Sequence, residues 1–112
     1  MDADAFLALA LGLPEASLGS HMGNSDIRVR GKIFASPAGP RARAILKLTP
    51  EQQEMMCDAE PSIFASEDGY WGRVGWTRLV VDVADEATAE VALWAAWRNV
   101  APKSLAKAHP PA

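Results

Sequence analysis

Cysteine is nearly absent from this 112-residue chain, which has only Cys57, and histidine is limited to His21 and His109. A single thiol closes no intramolecular disulfide. No Cys, His or carboxylate cluster stands at ligand spacing, so no metal centre and no cofactor site are expected. Long apolar runs are also missing: none approaches the roughly 18 residues that span a bilayer. Glycine-rich phosphate cradles are absent, because neither the Walker A spacing nor a dinucleotide fingerprint occurs, and there is no Gly-x-Ser-x-Gly elbow. Positive charge is not in excess either. Eleven basic residues stand against fourteen acidic ones, giving a net charge of −3 and a pI near 5.3, unlike a typical nucleic-acid-binding domain.

Hydrophobic residues make up 49% and charged residues 22% of the chain. That is ordinary globular composition, and the length suits one domain over residues 1–112. The apolar stretch Ala5–Leu13 has the length of a signal-peptide core, but Asp2 and Asp4 precede it where a secretory signal carries positive charge. Early acids suit a helix N-terminus. Phe6, Leu9, Ala10 and Leu13 then fall at helical spacing, and Gly12 with Pro14 closes the segment. A cytoplasmic domain without a membrane segment is the expectation.

From Ser25 the pattern becomes extended. Ile27–Arg30 alternates, Gly31 breaks the run and Ile33–Ala35 resumes it, which predicts a hairpin with a tight turn beside Gly31. A third strand is expected over Ala42–Leu48. Thr49-Pro50-Glu51-Gln52 then reads as a capped helix start, and the helix carries Met55, Met56 and Ala59 on one face. After a short run over Ser62–Ala65 come the Glu67-Asp68-Gly69 turn, the aromatic stretch Tyr70–Trp76, and a strand over Thr77–Val83. Asp85 opens the last long helix, whose broad apolar face includes Val91, Leu93, Trp94, Trp97 and Val100. Pro102 ends it and opens one further turn. This order predicts an α+β two-layer sandwich, an antiparallel sheet with helices on one face.

Charge placement says more than net charge. Six basic residues (Arg28, Arg30, Lys32, Arg41, Arg43 and Lys47) and no acid lie between Ile27 and Pro50, and six acids with no base lie between Glu51 and Asp68. If the strand continues through Gly31, Arg28, Arg30 and Lys32 share one face, and Arg41, Arg43 and Lys47 share a face on the next run. Such rows make either a basic face suited to phosphates or a solvated face neutralised by the acidic helix. Trp71 and Trp76 flank Gly72, Arg73 and Gly75. They could stack on a ligand that the glycines admit, or cover the edge of the core over a bulge. Cys57 has Asp58 beside it, which raises a thiol pKa, so it reads as a structural thiol. No local pattern provides a catalytic residue, and the chain is not expected to be an enzyme.

Several segments together resemble the MmcQ/YjbR family of small bacterial proteins. They are His21-Met22-Gly23, Ile27–Ala35, Leu46–Gln52, Trp71-Gly72 with Gly75-Trp76-Thr77, Ala95 with Trp97-Arg98, and Ala101-Pro102-Lys103. The resemblance spans essentially the whole chain. It implies an α/β two-layer sandwich similar to frataxin-like and secretion-chaperone-like folds, and DNA binding through two hairpin wings. One wing would be the hairpin at Arg30-Gly31-Lys32. Our own reading of the residues puts the other at the Trp71–Trp76 stretch with Arg73. The expectation is a weak, sequence-nonspecific DNA-binding protein using Arg28, Arg30, Lys32, Arg41, Arg43, Lys47 and Arg73. The alternative is a module for a small molecule or protein partner, using the sheet surface with His21, Trp71 and Trp76.

Overall fold

Local caps at Asp2, Thr49 and Asp85 start three helices where the sequence places them. The structure is a computed structural model describing residues 1–110. Asp2 caps α1 (Ala3–Leu11) by accepting the Ala5 N–H at 2.7 Å, and Phe6, Ala10 and Leu13 turn into the core. The chain next forms β1 (Ala16–His21), a strand absent from the sequence expectation. Its Ser, Gly and His residues give no apolar alternation; pairing with β2 (Asn24–Val29) makes it a strand. β2 returns through a second tight turn into β3 (Lys32–Ala35). Both turns place two successive residues at positive φ, Met22-Gly23 and Arg30-Gly31, the twist that two-residue hairpins require. The strand therefore does not continue through Gly31.

A 3-10 turn at Pro40–Ala42 leads into β4 (Arg43–Lys47). β5 (Phe64–Ser66) and β6 (Trp76–Val80) complete one antiparallel sheet in the order β1-β2-β3-β4-β6-β5. Side chains alternate across it. Ala44, Leu46, Thr77 and Leu79 are buried beneath helices, whereas Arg43, Ile45, Lys47, Trp76, Arg78 and Val80 face the other way. β6 stops at Val80, three residues before the expected end, because the Val83 and Ala84 N–H groups bond back to the Val80 carbonyl and turn the chain.

Asp85 caps α4 (Glu86–Val100), accepting the Thr88 N–H at 2.9 Å. This helix lies across β3 and β4 and buries Ala89, Ala92, Leu93, Ala96 and Trp97, residues three and four apart on one face. Trp97 is fully buried, and its indole N–H donates to the Pro14 carbonyl at 2.9 Å. The expected face was too broad. Val91 is exposed and Trp94 is only half-buried, because both lie on the flank of the inward stripe. Trp94 meets Trp97 edge-on and carries the Arg98 guanidinium 4.9 Å from its ring centre. α5 (Lys103–Ala108) adds Leu105 to the core.

α2 (Pro50–Ala59) begins with the expected capping box. The Thr49 hydroxyl accepts the Gln52 N–H and the Gln52 side chain accepts the Thr49 N–H. The expected Met55, Met56 and Ala59 face is not buried. Met55 and Ala59 are exposed, and Met56 and Cys57 alone pack on the core, each half-buried. Polar bonds seat this helix instead. Asn99 of α4 donates to Gln52 at 2.7 Å and to the Lys47 carbonyl at 3.0 Å.

Trp97→Ala should cost about 3–5 kcal/mol in chemical denaturation, the range for truncating a buried aromatic. Trp94→Ala should cost roughly half of that or less, since it leaves a smaller cavity. Equal losses from the two variants would place Trp94 in the core after all.

Candidate functional site

The helices leave one face of the sheet uncovered, and a short element closes over part of it. Glu67 and Asp68 follow β5 and lead into α3 (Gly69–Arg73), so the stretch expected to form a hairpin wing is helical up to Arg73. The hairpin neighbouring Arg30-Gly31-Lys32 is instead β1–β2, with Met22-Gly23 at its tip. Gln53 of α2 anchors α3 to β6. Its amide nitrogen donates to the Gly72 carbonyl at 3.1 Å, the Trp76 carbonyl at 3.0 Å and the Thr77 hydroxyl at 3.1 Å. Gly75 has φ 111°, and a Cβ there would collide with the Leu48 carbonyl oxygen. A Cβ at Gly72 would collide with the Glu67 carbonyl oxygen. These glycines serve close approach of the chain to itself, not of a ligand.

The result is a cleft of about 400 Å³ on the open face. Ile33, Ala35 and Ile45 line its sheet side, Trp71 and Trp76 are aromatic lining, and Glu67 and Asp68 are its acidic residues. Trp71 is 59% exposed and meets Tyr70 edge-on at 5.4 Å. Trp76 is half-buried, with the Lys47 ammonium 5.6 Å from its ring centre. Arg78, opposite Ile45 in the register, donates to both Glu67 and Asp68. The Arg78 guanidinium holds the Glu67 carboxyl below its ordinary value, so Glu67 is an anion and not a proton donor at neutral pH.

The seven candidate cations do not form one row. Arg28 lies on the open face but is clamped by Asp26 at 2.7 and 3.0 Å and donates to the Ser20 carbonyl at 3.1 Å. Arg30 sits in the hairpin turn and makes a two-pronged bond to Glu15. Lys47 donates to the Val74 carbonyl at 2.8 Å. Arg41 belongs to the 3-10 turn, outside β4, with φ 61°. Lys32, Arg41, Arg43 and Arg73 are exposed and take part in no ion pair among the described residues. His21 is exposed at the end of β1, on the opposite edge of the sheet from the cleft's α3.

Sequence reasoning passed over Ile33, Ile45, Glu67 and Arg78. Ile45 shares the parity of Arg43 and Lys47, so the signal that placed the cations also places it in the cleft. Ile33 stands opposite Arg28 only once the turn fixes the register. At Cys57, burial first and Asp58 second push the thiol pKa up. No group of three or more metal-ligating side chains occurs among the described residues, and no helix there is long and apolar enough to cross a membrane.

The YjbR family model matches residues 11–99. This chain belongs to the YjbR family. Among solved structures, it is similar to Deinococcus radiodurans protein DR2400, described as a DUF419 domain, with 18% identity and a TM-score of 0.74. The likeness covers 96% of this chain and 83% of that one and shows a shared fold. No curated protein matches this YjbR chain.

Asp26 offers a pH test of the clamped cations. Hydrogen bonding from Arg28 lowers the Asp26 pKa, so its stabilisation is fully present above an ordinary Asp value of about 3.9 and disappears as pH falls through the lower folded value. Asp26→Asn should therefore lower Tm at neutral pH, with the difference from the parent shrinking at about pH 2. A difference that stays constant across that range would show that the Arg28 pair does not stabilise the fold.

Proposed function

We propose that this YjbR protein is a non-enzymatic binding module whose site is the open-face cleft. Its ligand is a flat, largely apolar group that lies against Trp71 and Trp76. The supporting observation is the exposed Trp71 at a cleft lined by Ile33, Ile45 and Trp76. A concave apolar site with few polar groups is the usual form of a small-ligand site, and a large exposed apolar side chain marks a contact surface. Against catalysis, the titratable residues lining the cleft are Glu67 and Asp68, both bonded to Arg78, and no nucleophile is paired with a base there. The aromatic dye 8-anilinonaphthalene-1-sulfonate is a suitable probe. Trp71→Ala should weaken its binding at least fivefold while leaving Tm within a few degrees of the parent. Dye binding that survives Trp71→Ala unchanged removes the cleft as the site.

A second reading is weak DNA binding by the exposed cations. Lys32, Arg41, Arg43 and Arg73 are its support, because exposed basic side chains outside a groove-reading helix reach phosphates more readily than base edges. Three or four phosphate contacts give a log–log salt slope of about −3 on duplex DNA. Arg28 and Arg30 are poor choices for mutation, since reversing either breaks an ion pair of the fold. Lys32→Glu with Arg43→Glu should abolish binding of a labelled duplex in fluorescence anisotropy, while Lys103→Glu with Lys107→Glu should not. No binding at the lowest salt, or binding untouched by the first pair, ends the DNA reading.

A further inference from the structure

The two edges of the sheet are protected very differently. β5 is three residues long and runs directly into Glu67 and Asp68, the short, charged form that keeps an edge from pairing. β1 is six residues long, contains no charge, proline or bulge, and has exposed Leu18 at its centre. The neutrality extends beyond the strand. From Ala5 to Ser25 the only charged side chain is Glu15, and Arg30 neutralises it. Among its own residues, β1 carries none of the usual devices against strand addition.

The pattern of its unused backbone groups identifies what fits. The two-residue turn makes His21 and Asn24 a hydrogen-bonded pair, so His21, Gly19 and Ser17 point their backbone groups at β2. Ala16, Leu18 and Ser20 point theirs outward. The Ala16 N–H is already bonded to the Leu13 carbonyl at 3.1 Å, and the Ser20 carbonyl accepts from Arg28 at 3.1 Å. Among the described residues, what remains free is the Ala16 carbonyl, both groups of Leu18, and the Ser20 N–H. That set matches its own copy turned through a two-fold axis at Leu18. Leu18 bonds Leu18 in both directions, each Ser20 N–H meets the other copy's Ala16 carbonyl, and the two groups left over are the two already satisfied. In the same register, His21 of one copy is brought beside Glu15 of the other.

We propose that β1 is a self-association edge, pairing antiparallel with β1 of a second copy about Leu18. A foreign peptide strand has no reason to match a two-fold pattern, and the neutral surface offers nothing to attract a charged one. Five paired residues make an interface smaller than the standard size, so the dimer should depend on concentration. The two-fold axis stands perpendicular to the sheet, so both clefts face the same side.

Sedimentation of the full chain from about 10 μM to 1 mM, with amide hydrogen exchange at both ends of that range, tests the pairing. The mass should rise from 12.0 kDa toward twice that value. The Leu18 and Ser20 amides should slow at least fivefold at the high concentration, while Ser17 and Gly19, already bonded to β2, should not change. Leu18→Lys, at a side chain that is 54% exposed, should keep the far-UV spectrum and remain a monomer throughout. A parent that stays monomeric at 1 mM with unchanged Leu18 exchange overturns the proposal and leaves the edge to some other strand. A dimer that persists in Leu18→Lys also overturns it.

Discussion

A sheet covered by long helices on one face only must send every second side chain of its strands into solvent. That constraint organises the molecule. Trp97, fully buried on the inward stripe of α4 and hydrogen-bonded to the Pro14 carbonyl, marks which face is the inside. With that face inside, Ala44, Leu46, Thr77 and Leu79 are committed to the core, and Ile45, Lys47, Trp76 and Arg78 are committed to the open face. No strand can slip by one residue without exchanging the two sets. The cleft is therefore a consequence of burying the other side.

The charge pattern follows the same geometry. A block of six basic residues beside a block of six acids reads along the chain as two fields of opposite sign. Folding does not set one block against the other. Arg28 finds Asp26 two residues away on the same strand face, Arg30 finds Glu15 at the end of the β1–β2 pair, and Arg78 gathers Glu67 and Asp68. Each pairing is local in space and involves a carboxylate outside, or at the border of, the blocks. The acids of α2 pair with none of the block's basic residues among the described residues, so Lys32, Arg41 and Arg43 are left without an ion pair there.

The readable parts of the sequence were those governed by short-range rules. The caps at Thr49 and Asp85, the turn at Gly31 and the alternation of β4 each depend on a few neighbouring residues. The unread parts depend on partners far along the chain. β1 has no apolar alternation because an edge strand on this sheet needs none, and missing it also hid Glu15 as the partner of Arg30. The helix α3 is too short to show periodicity, and it is held by Gln53 from another element. Val91 was misplaced because helical spacing identifies an apolar stripe but not its width.

Gly19 connects the open face to the free edge. A Cβ at this position would press on the Arg28 side chain and on the Asp26 carboxylate. The absence of one lets Arg28 lie flat across β1 and reach the Ser20 carbonyl. The residue that weakens β1 as an isolated strand is thus the one that lets a cation of the open face satisfy an acceptor on the edge. Arg28 then contributes little to any phosphate-binding surface, since its guanidinium is spent on Asp26 and Ser20. The same contact leaves the edge with a backbone pattern that is complete under two-fold symmetry. The open face and the β1 edge are therefore a single design problem: the side chain withdrawn from one surface is what finishes the other.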